Sequence, residues 1–516
     1  RFVSGINPQS FSWELTPETH FDTPEAVFSY SSNGYGGLSR QLHSFIREHI
    51  VRGVWKRRPR PVLLNSWEAC YFKIDERKLL QLAKVGADVG IELFVMDDGW
   101  FSGRNDDTSS LGDWEPDPKK LPGGIASLSK KLKALGVDFG LWVEPEMISE
   151  NSRLYQEHPD WAMMIPGHPH SEGRNQRLLD LCNPEVQQYV IDSMTKVFSS
   201  GDIRYVKWDM NRNFSDIYSP YLPAAKQGET AHRYVLGLYH IMNELTTRFP
   251  EILFEGCSSG GNRFDLGILS YFPQIWASDN TDALCRTGIQ NSYSYGYPLS
   301  VFTAHVSSCP NHQTLRITPL ETRFQVASFG VLGYECNLKD LSGSDLNAIR
   351  EQIALYKKWR DVFQFGSFYR GAENEASDSE TLSWTCVSPD GRRAVGLFFR
   401  RLTTPNQSHD WYRPVGLLPD VKYHFYGRNI KYNLKDFGDL VNTVSPVHIK
   451  QGSALQEILS RFVNMDGEKE ELTAYGDTLM RAGIALKPAF AGTGYNSDTR
   501  LFPDFSSRIY FMEAAE

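Results

Sequence analysis

The segment Val206-Lys-Trp-Asp-Met-Asn211 sets a lysine, an aspartate and an asparagine at alternate positions. On an extended strand alternate side chains share a face, so Lys207, Asp209 and Asn211 point the same way. An ammonium beside a carboxylate keeps it ionised, as a nucleophile requires, and Asn211 can add a hydrogen bond to that carboxylate or to a substrate. Standing alone, the segment reads equally well as a structural ion pair at a strand end. A second apolar run closes with Trp276-Ala-Ser-Asp-Asn-Thr-Asp282 and supplies another carboxylate. Two facing carboxyl groups are the equipment for cleaving a glycosidic bond: one attacks the anomeric carbon and the other protonates the departing oxygen. Spacing leaves Asp279 and Asp282 equal as that acid, with the other free to cap the following helix.

Other residues fit the same chemistry. Asp97 and Asp98, followed by Gly99-Trp100, suit bidentate hydrogen bonding to neighbouring sugar hydroxyls or metal coordination. The sequence has no H-E-x-x-H or EF-hand pattern, which favours the hydroxyls. Trp67, Trp100 and Trp142 each stand near the end of an apolar run, where an indole offers an apolar face to sugar C–H groups and a donor to an oxygen. Glu144 and Glu146 are rival catalytic carboxylates, or else orient loops and pair with cations. Gly256-Cys-Ser-Ser-Gly-Gly-Asn-Arg263 lets backbone approach a ligand closely, but lacks the Lys-Ser/Thr of a phosphate loop. Cys257 has no histidine beside it to act as a base, so it reads as a packing or substrate contact. His305 and His312, flanking Cys309, read as interior or loop histidines rather than metal ligands.

The elements that must bring these residues together follow a βα rhythm. Short apolar runs at 62–67, 91–97, 137–144, 205–209, 252–257 and 275–279, with weaker ones at 301–305 and 329–334, end in polar or aromatic residues. Amphipathic stretches at 76–85, 126–135, 185–198, 232–247 and 320–327 lie between them, with Pro184 and Gly136 as start and stop signals. Eight such units predict a (β/α)8 TIM barrel of the α/β class, whose site lies at the C-terminal ends of the strands. Upstream, 25–30 reads as a strand, 38–51 as a helix and 56–61 as a linker. After about Gln364 shorter alternating runs predict a C-terminal antiparallel β-sandwich with one helical insertion near 474–486.

A chain of 516 residues with 41% hydrophobic side chains has room for two or three domains. A net charge of -8, scattered rather than blocked, argues against nucleic acid or an anionic membrane as partner and suits a neutral polar ligand. Seven cysteines without C-x-x-C spacing suggest reduced thiols and a cytoplasmic protein. No apolar run is long enough to span a bilayer and no signal-peptide pattern is present. Arg1 in place of a starting Met suggests truncation or processing.

Taken in order, Asp97-Asp-Gly-Trp-Phe101, Trp142-Val-Glu-Pro-Glu-Met147, Lys207-Trp-Asp-Met-Asn-Arg212, Cys257-Ser-Ser-Gly-Gly261 and Ser278-Asp-Asn-Thr-Asp282 resemble glycoside hydrolase family 36, in particular bacterial α-galactosidases of the raffinose- and melibiose-degrading kind. The resemblance implies a retaining α-galactosidase, with Asp209 as nucleophile and Asp279 as acid/base. It implies that Asp97 and Asp98 hold galactose hydroxyls, that Lys207, Arg174 and Trp142 complete the subsite, and that Trp67, Cys257 and Gly260 line its walls. It requires no metal or organic cofactor, and expects the two carboxyl groups about 5 Å apart or slightly more. Residues 1–58 would be the tail of an N-terminal β-supersandwich with a linker helix, 59–364 the barrel and 365–516 the C-terminal sandwich. Similar proteins are homo-oligomers, often tetramers, of the bacterial cytoplasm. Galactosyl transfer of the raffinose-synthase kind, α-N-acetylgalactosaminidase activity and a non-catalytic sugar-binding barrel are the other readings.

Overall fold

The computed structural model describes residues 3–372, 379–404, 409–460, 462–490, 496 and 498–515. Arg1 lies outside them. The chain divides into two compact units, the first of Arg1–Asn280, Val301–Ser308 and Val331–Leu341, the second of Thr281–Ser300, Cys309–Gly330 and Ser342–Glu516.

The first unit holds a closed barrel of eight parallel strands: β1 (Leu63–Asn65), β2 (Leu93–Met96), β3 (Asp138–Val143), β4 (Ile203–Trp208), β5 (Leu253–Gly256), β6 (Gln274–Trp276), β7 (Phe302–Ser307) and β8 (Val331–Glu335). Each pairs with its neighbours in chain order, and β8 closes on β1. Because a parallel strand is covered on both faces, its sequence is continuously apolar rather than alternating, and β2 is buried at every position. The helices start and stop where backbone groups find partners. Asp75 caps Glu76–Val89 by accepting from the Lys78 N–H, and Gly90 ends it in the left-handed conformation. Asn183 caps Pro184–Phe198, with Pro184 in the first turn as the sequence suggests. After β3 a small hairpin, Met147–Ile148 against Arg177–Leu178, stands at the end of the barrel where the site residues lie.

Residues 25–30 are not a strand, and no strand occurs between residues 3 and 33. A strand exists only as part of a backbone ladder, and none of the sheets formed by the described residues includes this segment. Phe11, Trp13 and Phe21 instead pack on His232. The helix expected over 38–51 runs from Gly34 to Phe45 and continues as a π-turn to Ile50.

The second unit contains the helices Ala283–Tyr293, Leu320–Ser328 and Gly343–Phe365, and a six-stranded antiparallel sheet. In that sheet Ser506–Ala514 lies between Arg393–Arg400 and Lys422–Gly427. A short two-stranded sheet, Trp411–Tyr412 with Ile484–Ala485, shares its core of Phe398, Tyr412, Phe425 and Tyr510. The helical insertion expected near 474–486 is shorter, Gly476–Arg481, because Glu471–Tyr475 is a strand paired with Lys422–Gly427. All seven cysteines are free thiols.

Candidate active site

Asp209 follows the last residue of β4, and its N–H is held by the Val143 carbonyl at 2.8 Å. Its carboxylate accepts from the Asn211 amide at 2.7 Å, the Trp142 indole at 3.1 Å and the Met210 N–H at 2.8 Å. Burial works to raise its pKa. The Lys207 ammonium and the hydrogen bonds from the Cys257 thiol, Trp142 and Asn211 together outweigh that, so Asp209 stays below the usual carboxylate range. Cys257 is itself pushed well up by burial and by the charge of Asp209, so it keeps its proton and acts as a donor rather than a thiolate. Ser259 fixes the other end of the Asn211 amide at 3.0 Å.

Lys207 points as the strand pattern predicts, but its direct ion pair is with Asp97, at 2.9 Å. Burial works to lower its pKa, but Asp97 together with Cys257, Glu335 and Asp209 outweighs that and keeps this lysine firmly protonated. Asn65 donates to the same Asp97 oxygen at 2.8 Å. Asp98 turns the other way and takes a forked grip from Arg104, with Nε at 3.0 and 3.2 Å and Nη2 at 2.8 Å. Both members of this pair are buried.

Asp279, beyond the end of β6, differs from Asp209 in kind. Its side chain is exposed at the rim, while Asp209 is 5% exposed. The indole of Trp276 donates to its Oδ1 at 2.8 Å. Loss of hydration from the surrounding wall, followed by the negative charge of Asp209, raises its pKa against the opposing pull of Lys207. Asp282 caps the following helix by accepting from the Cys285 N–H at 2.9 Å, and it pairs with Arg316. These contacts outweigh its burial and hold it below the usual range.

Glu146 is fully buried and joins the two halves of this arrangement. It accepts from the Trp208 indole at 2.9 Å, the Tyr234 hydroxyl at 2.8 Å and Arg263 at 2.8 and 3.0 Å. Arg263 also donates to Ser258 in the glycine-rich loop at 2.7 Å. In that loop Gly260 has φ of +86°, and a Cβ there would lie 2.9 Å from the Ser278 Cα and 3.1 Å from the Asp279 nitrogen. Glycine is therefore required both for the turn and for the close approach to the segment carrying Asp279.

Glu144 is the second fully buried glutamate. It accepts from the Asn211 N–H and from Gln176 at 3.1 Å. Burial, and next the charge of Asp209, push its carboxyl up to about 8, so it carries a proton at neutral pH. A carboxyl with a raised folded pKa contributes stability that is whole below the ordinary value of 4.5 and drains away as pH climbs through about 8. Glu144→Gln removes the ionisation, and the free Gln176 Oε1 can receive the new amide after a flip. We expect the variant to gain on the wild type by about 1 kcal/mol per pH unit across that window. Denaturant unfolding at a series of pH values measures this; parallel curves would contradict it.

Asp97, Asp98, Trp142, Lys207, Asp209, Asn211, Cys257, Gly260 and Asp279 thus meet at one end of the barrel. Trp67 opens a short helix after β1 and stacks edge-on to Tyr71 and Phe72 at 5.3 and 5.2 Å. Trp100 is not a sugar platform: it is fully buried, donates to the Trp142 carbonyl at 2.9 Å and packs on Phe101. Arg174 is not gathered with the others. It lies exposed, its φ is +54°, and its ionic partner is Asp107 at 3.7 Å. Its loop is nevertheless fastened beneath, where Arg212 donates to the Gln176 and Ser171 carbonyls. Among the described residues no group of three or more His, Cys, Asp or Glu side chains could hold a metal ion, and no helix is long and apolar enough to cross a membrane. Arg104, Asn65 and Trp276 are the contributors that sequence reasoning did not single out.

Residues 20–366 match the Melibiase family model, and residues 381–512 match the glycosyl hydrolase family 36 C-terminal domain. Alpha-galactosidase AgaA of Geobacillus stearothermophilus is 46% identical over 83% of this chain and 59% of its own length. Alpha-galactosidase Mel36A of Lactobacillus acidophilus is 46% identical over 81% of this chain and 57% of its own. The chain thus spans less than two thirds of the length of these relatives. A solved structure of an AgaA variant in complex with raffinose superposes with a TM-score of 0.85 at 42% identity, covering 99% of this chain and 63% of that one.

Proposed function

The chain belongs to the Melibiase family, and from that membership and the site's geometry we propose that it is a retaining α-galactosidase acting on terminal α-galactose of oligosaccharides such as melibiose, raffinose and stachyose. The reading is carried by the opposite tuning of two carboxyl groups: Asp209 is caged by donors and held ionised, while Asp279 is held toward its protonated form. Pushing two pKa values apart is how one site obtains a nucleophile and an acid at the same pH. Relatives named as alpha-galactosidases, and family structures in complex with raffinose and stachyose, support galactose as the sugar.

In the proposed reaction an oxygen of Asp209 bonds to C1 of galactose as the C1–O glycosidic bond breaks, and Asp279 gives its proton to the leaving oxygen. In the second step Asp279, now a carboxylate, takes a proton from water. The water oxygen bonds to C1 and releases Asp209, so configuration is retained. Asp97 and Lys207 would hold hydroxyls at one edge of the ring, and Asp98, oriented by Arg104, would take its neighbour. Asn211, Trp142, Cys257 and Gly260 would close the floor, with Trp67 and Arg174 at the outer edge. The proposal assigns catalysis to 59–364 and separates 1–58 and 365–516 from it. It places the protein in a bacterial cytoplasm, which seven cysteines outside any disulfide support, and in a homo-oligomer.

Asp279→Gly is the direct test. Loss of a general acid should cost about 10²–10⁴-fold in kcat/KM on raffinose, but much less in kcat/KM on p-nitrophenyl α-galactoside, whose leaving group needs little protonation. Azide should speed the variant and yield the α-galactosyl azide. Wild-type protein that turns over neither substrate, or a variant whose kcat/KM is equally impaired on both, would overturn the assignment.

A further inference from the structure

The barrel brings a second titratable pair beneath the site, one that the reaction above does not use. His305 on β7 and Glu335 at the end of β8 are both buried, and the His305 Nδ1 meets the Glu335 carboxylate at 2.8 Å. The imidazole lies against the indole of Trp276, with ring centroids 4.5 Å apart and planes inclined by 38°. The Lys207 ammonium stands 5.9 Å from the centre of the same indole. We propose that His305 and Glu335 are positioning residues for the acid step, seating the Trp276 indole so that its N–H fixes the Asp279 carboxyl; this rests on the reading of Asp279 as acid/base.

Asp279 sits on an open rim, and the Trp276 N–H holds one of its oxygens at 2.8 Å. The orientation of the indole therefore sets the direction of the other oxygen, from which a proton would leave. Packing fixes that orientation. β6 pairs with β7 at Trp276–Thr303, and β7 with β8 at His305–Gly333, so the three side chains come from adjacent strands. Gly333 leaves room for the imidazole: a Cβ there would lie 2.4 Å from its Cδ2 and 2.6 Å from its Nε2. Among the described residues the Nε2 has no hydrogen-bond partner, so the bond to Glu335 and the packing around the ring are what orient it. A small shift of a proton donor costs much rate, because proton transfer needs hydrogen-bond reach to the leaving oxygen. The negative charge of Glu335 also works to keep both Asp279 and Lys207 protonated.

Glu335→Gln and His305→Gln separate this role from general support of the fold. Both should lower kcat/KM on raffinose by about 10–100-fold, part of the full worth of a general acid, while p-nitrophenyl α-galactoside loses less than about threefold. In Glu335→Gln the alkaline limb of the raffinose pH profile should also move to lower pH, since a charge that favours protonated Asp279 is gone. If His305→Gln does not fold, Glu335→Gln carries the test, with its melting temperature checked against wild type. Equal losses on the two substrates, with an unmoved alkaline limb, would overturn the seating role and leave the proposed activity standing. Wild-type protein inactive on both would take down the two together.

Discussion

Asp209→Asn is expected to lower kcat on p-nitrophenyl α-galactoside by about 10³-fold or more, a barrier increase of about 4 kcal/mol. The leaving group is good, so the loss belongs to the nucleophile and not to the acid. Asparagine keeps the volume and one acceptor oxygen, which in the place of Oδ2 retains the Trp142 and Asn211 donors at the loss of the Met210 N–H bond to Oδ1, so the protein should stay folded. Asp209→Gly opens the space beneath C1. Azide should then restore turnover and give the β-galactosyl azide, the opposite anomer to the product from Asp279→Gly. Near-normal turnover by Asp209→Asn, or the same azide anomer from both glycine variants, would remove Asp209 from the role.

Lys207→Met should be the most damaging change outside the two carboxylates. Lys207 is 7% exposed and serves both Asp97 and Asp209. Removing one partner of a buried ion pair costs about 3–5 kcal/mol, because the remaining charge is left uncompensated. The signs of its effects on pH dependence follow from the wild-type shifts. Asp209 is held low, so it contributes stability that is present above its unfolded pKa and lost as pH falls through its folded one. Without the ammonium that pKa rises, so the acid limb of kcat/KM should move to higher pH while the melting temperature drops. Arginine should not rescue it, since a planar fork cannot take the place of a compact ammonium between two carboxylates. An unmoved acid limb in Lys207→Met would show that the cation does not keep Asp209 charged.

The barrel was legible because a parallel sheet writes itself as short apolar runs separated by amphipathic helices, and the strands 93–96, 138–143 and 253–256 all lie within the runs read for them. Helix Gly343–Phe365 was not, since Gln352 and Gln364 stand on its buried face and blur the apolar stripe. Alternation brought out Lys207, Asp209 and Asn211 together: Lys207 lies on β4, and Asp209 and Asn211, just past its end, are joined by a hydrogen bond of 2.7 Å. Spacing alone left Asp279 and Asp282 equal and only the family resemblance ranked them; the Asp282 helix cap and its Arg316 pair now give that aspartate a structural occupation. Arg104 had a signal that went unread: two adjacent buried carboxylates demand a cation, and it stands six residues from Asp98. Trp276 gave none, as a tryptophan ending a core strand looks like packing until its N–H is found on Asp279.

The unequal exposure of the two carboxyl groups bears on which molecule ends the reaction. Asp209 is walled in, so on the proposed mechanism whatever attacks the galactosyl ester must come from the open side, past Asp279. Water and the hydroxyl of a second sugar compete for that single approach. On that mechanism the balance between breaking oligosaccharides and lengthening them would be decided by the rim around Asp279, and substitutions there would change the product without touching the groups proposed to recognise galactose.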